Sequence, residues 1–258
     1  MKSRADGTFL DYETGGLSSY SNASRSDNSL SYKAAVGYSI TDSSRIYALT
    51  STGAKAGGFS RFPSTAYYDR KGYDSETTYN YELGYHLAHP LGFDMNMAVF
   101  YEKVKDKQAY TYMDNTFVTS MRNVGDMSSK GFEFDLDFRS DRFTGLVSGT
   151  YARARNEQAG YSKTPAYSPR FTMSGFFDAT VYRTGNLEAH LGANGRYISR
   201  VYFGEGYNLK NPGVQGGFST FGVYTEFVYR KDLEIRAYIE RLCSGKVLIL
   251  LIVMYITF

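Results

Sequence analysis

Ten residues, Gly131 to Ser140 (GFEFDLDFRS), most constrain what this chain can fold into. Successive side chains of an extended chain point to opposite faces. Phe132, Phe134, Leu136 and Phe138 therefore share one face, and Glu133, Asp135, Asp137 and Arg139 share the other. One face is hydrocarbon and the other is charge, so each needs its own solvent.

The same alternation recurs along the chain. Leu30, Tyr32, Ala34, Val36, Tyr38 and Ile40 form one face of a segment whose other face is Ser31, Lys33, Ala35, Gly37 and Ser39. Residues 79–87, 93–102, 187–197, 221–229 and 233–240 repeat the pattern, and 45–53, 143–154 and 170–182 follow it less cleanly. No segment shows an amphipathic helical pattern. Most alternating runs hold about 9–13 residues, whereas soluble strands cluster near 5–6, and a tilted strand needs about 9–11 to cross a bilayer.

The connections have a rhythm of their own. Tight turns are predicted at 41–44 (TDSS), 89–92 (HPLG), 139–142 (RSDR), 183–186 (RTGN) and 230–232 (RKD). Longer polar links, rich in Tyr and Gly, fall at 60–75, 113–128, 156–168 and 203–216. Short and long links alternate in this way in an up-and-down barrel of the outer membrane.

Composition narrows the field. The aromatic share is 17%, nearly all Tyr (25) and Phe (18), and there are only 5 prolines, which suits long strands because proline removes a ladder donor. A net charge of +3, with bases scattered among acids, gives no basis for a nucleic-acid partner. The one cysteine, Cys243, excludes an internal disulfide framework and a Cys-based zinc site. The opening MKSRADGTFLDYETGG has no apolar core, so the expectation is either a cytoplasmic protein or a chain without its true N-terminus. The longest apolar run, Val247 to Phe258 (VLILLIVMYITF), is too short for a membrane helix.

Two architectures accommodate the alternation. In a soluble β-sandwich the apolar faces meet inside and the charges face bulk water. In a transmembrane barrel the apolar faces meet lipid, and the charges line a wet lumen where ionised groups cost little. Strand length, turn rhythm and the Tyr load favour the barrel. Lumen candidates are then Lys33, Glu82, His86, Glu133, Asp135, Asp137, Arg139, Glu188, His190, Arg196, Glu226, Glu234 and Arg236. Tyr32, Tyr47, Tyr79, Tyr101, Tyr151, Tyr182, Tyr197 and Tyr229, near strand ends, suit aromatic girdles. A barrel also predicts heat-modifiable migration on a gel, which a sandwich does not.

The stretch from Arg45 to Phe59 (RIYALTSTGAKAGGF) resembles the Y-x-x-x-S-x-G-x-K-x-G-G-F segment of TonB-dependent outer-membrane receptors, with Tyr47, Ser51, Gly53, Lys55, Gly57, Gly58 and Phe59 in the matching positions. In the same order, 79–87 (YNYELGYHL) is similar to that family's Y-E-x-G strand. Residues 97–108 (MAVFYEKVKDKQ) resemble its F-Y-x-x-x-x-D-x-Q segment, and 122–136 (RNVGDMSSKGFEFDL) its N-x-G…G-x-E segment. The resemblance covers residues 28–240, more loosely after Asn186.

It implies an all-β fold, an antiparallel up-and-down transmembrane β-barrel. The chain would supply a partial one, with about 11–12 strands of the family's roughly 22. Residues 1–258 would be the C-terminal part of the barrel, without the plug and TonB box. The implied function is uptake of a ferric siderophore or similar iron chelate across the outer membrane. Outer-membrane lipid and the chelate are the implied partners, with TonB only in the intact protein. Residues 241–258 depart from the family pattern, with Arg241 in place of an Asn and a final run apolar on both faces; a disrupted or out-of-frame tail is the favoured reading there, with a buried strand or a short membrane-attached segment as alternatives.

No catalytic constellation, metal set or cofactor motif stands out. His86 and His89 lie three apart and face opposite ways in a strand, a poor ligand geometry. Asp135 and Asp137 share a face and are expected to pair with Arg on neighbouring strands; an outer-membrane barrel hydrolase would need them or His190 for activity. GAKAGGF lacks the Lys-Ser/Thr and helix of a phosphate loop. Ligand contact is expected from aromatic and basic residues of the long links, which suit planar anionic chelates. The candidates are Tyr67, Tyr68, Arg70, Tyr110, Tyr112, Tyr161 and Tyr207, with Lys71 and Tyr167 beside them.

Overall fold

The computed structural model describes residues 2–10, 17–59, 72–112, 119–158, 163–204, 213–230, 233–242 and 248–256. Among them there are seventeen strands and no helix. In chain order these are β1 (Lys2–Leu10), β2 (Leu17–Ser26), β3 (Lys33–Thr41), β4 (Ser44–Lys55), β5 (Glu76–His89), β6 (Phe93–Lys105), β7 (Gln108–Tyr112), β8 (Thr119–Asn123) and β9 (Met127–Arg139). They continue with β10 (Phe143–Asn156), β11 (Phe171–Arg183), β12 (Leu187–Ile198), β13 (Val201–Tyr202), β14 (Val214–Gln215), β15 (Phe218–Tyr229), β16 (Leu233–Leu242) and β17 (Leu248–Ile256).

Eleven of these form one sheet in the order β17-β16-β15-β12-β11-β10-β9-β6-β5-β4-β3, with every neighbouring pair antiparallel. The sheet is open, with β3 and β17 at its edges. The other six strands make three hairpins, and β7–β8 and β13–β14 lie within long connections. None of these hairpins was expected from the alternation. The polar Tyr-rich sequence of the two in long connections reads as loop.

The expected turns at 41–44, 89–92, 139–142 and 183–186 are present, while 231–232 of the fifth lie outside the described residues. The β5–β6 turn closes with Gly92 N–H donating to the His89 carbonyl (3.0 Å), and the Gly92 carbonyl accepts from Arg139 N–H (2.7 Å). Gly92 has φ +79°, and a Cβ there would sit 1.8 Å from that Arg139 contact's carbonyl oxygen, so only glycine fits. The β9–β10 and β11–β12 turns close by Ser140 N–H to Phe143 C=O and Thr184 N–H to Leu187 C=O. The links β3–β4, β5–β6, β9–β10, β11–β12 and β15–β16 lie at one end of the sheet, and the long connections 56–75, 106–126, 157–170 and 199–217 lie at the other, where β16 also passes to β17.

Register then sorts the side chains. Glu82 pairs with Phe100, Ala98 with Glu133, Ser148 with Asp135, Thr144 with Asp178, and His190 with Glu226. These pairs put the charged sets of β5, β6, β9, β11, β12 and β15 on one continuous face. The Phe132, Phe134, Leu136 and Phe138 set falls on the other, beside Met95, Met97 and Val99. No second sheet covers this apolar face among the described residues: Val36 is 71% exposed, Leu83 56% and Leu191 54%. The buried hydrophobic residues are few and mostly small, such as Ala98, Val104 and Val124. A β-sandwich core is therefore not what organises the fold.

Tyr79, Tyr101, Tyr151 and Tyr197 stand on the apolar face near the long-connection end, and Tyr229 near the turn end. Tyr47 departs from the girdle expectation. It pairs with Gly84 and lies on the ionic face, where its hydroxyl donates to Glu82 Oε1 (2.6 Å). The hydroxyl is the reason: a carboxylate is a far better partner for it than hydrocarbon.

The ring of Tyr47 occupies the space a side chain at Gly84 would need, for a Cβ there would lie 2.2 Å from its Cζ. The same arrangement recurs at Gly192, under the ring of Tyr224. Gly84→Ala should displace Tyr47 from Glu82 and destabilise the sheet by about 1–3 kcal/mol, the usual cost of overpacking. The check is urea unfolding of the refolded chain in detergent, read by gel migration with and without heating. An unchanged midpoint would show that the ring has room to move.

Candidate functional site

The ionic face carries two dense clusters. On β11, β12, β15 and β16, Asp178 accepts from the Tyr224 hydroxyl (2.7 Å) and meets His190 Nδ1 at 3.0 Å. His190 Nε2 lies 3.5 Å from Glu188, and Arg236 pairs with Glu226 (2.8 Å) and Glu234 (3.6 Å). The Arg236 guanidinium also lies 5.2 Å from the centre of the Tyr224 ring, in cation–π contact. On β5, β6 and β9, Glu82, Glu102, Glu133, Asp135 and Asp137 line one wall, and His86 meets Asn96 (2.7 Å) and Asp94 (3.6 Å). A dry core could not hold so many carboxylates, whereas a water-filled space can.

At the long-connection end the separate sequence landmarks meet in one knot. Gln108 Nε2 donates to the carbonyls of Ala56 (3.0 Å) and Asp74 (2.9 Å), and its backbone N–H donates to Glu76 (2.6 Å). Asn123 accepts from Asp74 N–H (2.6 Å) and donates to the carbonyls of Asp74 (3.0 Å) and Asp106 (2.7 Å). Arg25, from β2, bonds the Asp74 and Asp27 carboxylates. Those two hydrogen bonds, Asp74's the stronger influence, raise its pKa further above that of a free guanidinium. Gly58 and Tyr73 exchange backbone hydrogen bonds (3.0 and 2.8 Å), which closes the base of connection 56–75. The Gly-Gly-Phe, D-x-Q and N-x-G segments thus share one place, the mouth of the sheet.

The family model described as "TonB dependent receptor-like, beta-barrel" matches residues 3–240. The chain belongs to this family. It is 26% identical over 216 residues to the pesticin receptor of Yersinia pestis, covering 80% of this chain and 30% of that receptor. The pesticin receptor of Yersinia enterocolitica gives the same identity and coverage. In fold it resembles the ferric yersiniabactin uptake receptor FyuA of Yersinia pestis (TM-score 0.70, 19% identity), across 92% of this chain and 36% of that one. It also resembles the copper transporter OprC (TM-score 0.70, 16% identity), across 90% of this chain and 36% of that one. The chain thus spans about a third of the length of these relatives. TonB-dependent receptors are outer-membrane proteins, so the fold is part of a transmembrane β-barrel.

Within this receptor barrel the thirteen lumen candidates can be placed by register. Lys33, Glu82, His86, Glu133, Asp135, Asp137, Glu188, His190, Arg196, Glu226, Glu234 and Arg236 all fall on the ionic face, as does Arg139 beside the turn. Among the described residues Asp137 does not pair across strands as expected; its nearest cation there is Arg139 on its own strand, at 3.9 Å. Asp135 and Asp137 on β9 are three strands from His190 on β12, so the residues a hydrolase would need are not brought together. Asp178, which does meet His190, was missed. It ends the run TMSGFFD, where Phe176 and Phe177 side by side obscure the alternation.

Of the ligand candidates, Tyr67, Tyr68, Arg70, Lys71, Tyr161 and Tyr207 lie outside the described residues. Tyr110 is exposed on β7, and Tyr112 ends that strand. Tyr167 is exposed at φ +56°, donates its N–H to the Tyr202 carbonyl (2.9 Å), and packs its ring 5.8 Å from that of Phe203, also exposed. Two long connections therefore meet in an aromatic pair, of which Phe203 gave no signal in the sequence.

Gln108→Ala should release the knot and cost about 1–3 kcal/mol, since it leaves carbonyls without their donor. Hydrogen exchange should quicken at 54–56 and 72–76 but not in the middle of β5 and β6. Uniform quickening across the sheet would show instead that Gln108 supports the whole fold.

Proposed function

We propose that this chain is the C-terminal barrel portion of an outer-membrane receptor that takes up a ferric siderophore or similar iron chelate, energised by TonB in the complete receptor. The family match over residues 3–240 carries this reading. Support comes from the relatives, which include a receptor for pesticin and one for ferric yersiniabactin. The polar wall of the sheet fits a hydrated passage, and the apolar face fits outer-membrane lipid. The long connections would face outward and capture the ligand. The run 241–258 would be an atypical end to the barrel.

Capture would use exposed aromatic rings, which stack on planar chelates, together with neighbouring cations. Tyr110, Tyr167 and Phe203 are the residues of choice, with Tyr67, Tyr68, Arg70, Tyr112, Tyr161 and Tyr207 as further candidates from the same connections. In the complete receptor, Tyr167→Ala with Phe203→Ala should weaken chelate binding about fivefold to tenfold, measured by quenching of tyrosine fluorescence. Unaltered binding would move the contact elsewhere in the mouth.

The open sheet leads to a second expectation. A sheet with two unpaired edges cannot seal a hydrocarbon layer. The 258-residue chain expressed alone should not restore growth of a receptor-deficient strain on a ferric siderophore as sole iron source. Restored growth would refute the proposal that the remaining part of the receptor is needed.

A further inference from the structure

Charge is distributed unevenly between the two faces of β5, β6, β9 and β10. Every carboxylate in these strands, Glu76, Glu82, Asp94, Glu102, Glu133, Asp135 and Asp137, falls on the ionic face. Lys103, Lys105, Lys130, Arg153 and Arg155 instead fall on the apolar face. They occupy its last rows, next to the long connections: Tyr81, Tyr101, Lys130 and Arg153 are successive partners in one row, and Tyr79, Lys103, Ser128 and Arg155 in the next. The apolar face of β3, β4, β5, β11, β12 and β15 carries no Lys or Arg. At the turn end, β6, β9 and β10 carry none on that face either.

Lys103 is neutralised by Asp126 and Glu157, both at 3.4 Å. Lys105, Lys130, Arg153 and Arg155 are exposed and have no acidic partner among the described residues; Lys105 lies 5.7 Å from the Tyr79 ring centre. Lys130 stands directly opposite Arg153. Like charges opposed across a pair of strands repel unless an anion lies between them. Long basic side chains at the margin of an apolar band reach toward headgroups, and guanidinium binds phosphate through two parallel hydrogen bonds.

We propose that Lys105, Lys130, Arg153 and Arg155 form a binding belt for the phosphates of anionic lipid headgroups, those without a cation of their own, in the leaflet nearest the long connections. The belt continues the apolar face directly, so a lipid that lies on Val99, Phe132 and Tyr151 places its phosphate among these cations. Tyr79, Tyr81 and Tyr101 flank it at headgroup depth. The belt is independent of the transported ligand and faces away from the passage.

The test uses the refolded full chain in neutral detergent, titrated with phosphatidylglycerol or with phosphatidylcholine of the same acyl chains, and bound lipid counted by native mass spectrometry. Phosphatidylglycerol should be retained preferentially. The triple variant Lys130→Gln, Arg153→Gln and Arg155→Gln should lower that retention on the order of a hundredfold, at roughly fivefold per charge, and leave phosphatidylcholine unchanged. The matched variant Lys33→Gln, Arg45→Gln and Arg196→Gln, on the ionic face, should leave both unchanged. In the unmodified chain retention should fall with salt, as the screening length shrinks from about 10 Å at 0.1 M to about 3 Å at 1 M. The proposal is overturned if both triple variants lose lipid equally, if the two lipids bind alike, if salt has no effect, or if inorganic phosphate displaces the lipid at an ionic strength where chloride does not, which would make this a site for free anions.

Discussion

Cross-strand register is the constraint on which this structure depends. Side chains repeat every two residues, so a slip of one position would carry Phe132, Phe134, Leu136 and Phe138 to the ionic face and Glu133, Asp135 and Asp137 into hydrocarbon. Transfer of even one ionised carboxylate into an apolar medium costs many kcal/mol unless it is paired. The sheet has little dry core to hold it otherwise, since its buried hydrophobic residues are few and mostly small. Backbone ladders, and two solvents that each reject the wrong face, take the place of a core.

Side chains on the ionic face reinforce the register. Tyr47 lies over Gly84 and reaches Glu82; Tyr224 lies over Gly192 and reaches Asp178. In both cases a glycine on the neighbouring strand opens the space, and a carboxylate fixes the hydroxyl. A slipped strand would put a side chain where the ring belongs. The tyrosines thus link pairing to the polar wall, and the wall to whatever passes along it.

The mouth of the sheet is organised differently. Gln108, Asn123 and Asp74 hold connections 56–75 and 106–126 together mostly through backbone carbonyls and amides. Such bonds do not depend on the side chains at 56 or 106, so the rest of each connection is free to vary while its base stays fixed. A rigid base under variable loops suits a receptor mouth, which holds one geometry and presents many surfaces. The cationic rows on the opposite face, from Lys105 to Arg155, belong to the same end and look outward.

The sequence by itself determined ten of the eleven strands of the main sheet, their two faces, the alternation of short and long links and the resemblance to a receptor family. These are local, period-two properties, written in residues such as 131–140 and in turn residues such as Gly92. Tertiary structure decided what depends on neighbours distant in sequence. It turned Tyr47 toward Glu82 and away from the girdle, paired His190 with Asp178, joined Gln108 to connection 56–75 and set Tyr167 against Phe203. It also aligned Lys130 with Arg153. Which residue stands opposite which follows from loop length and pairing summed over the whole sheet, and no single stretch of chain records it.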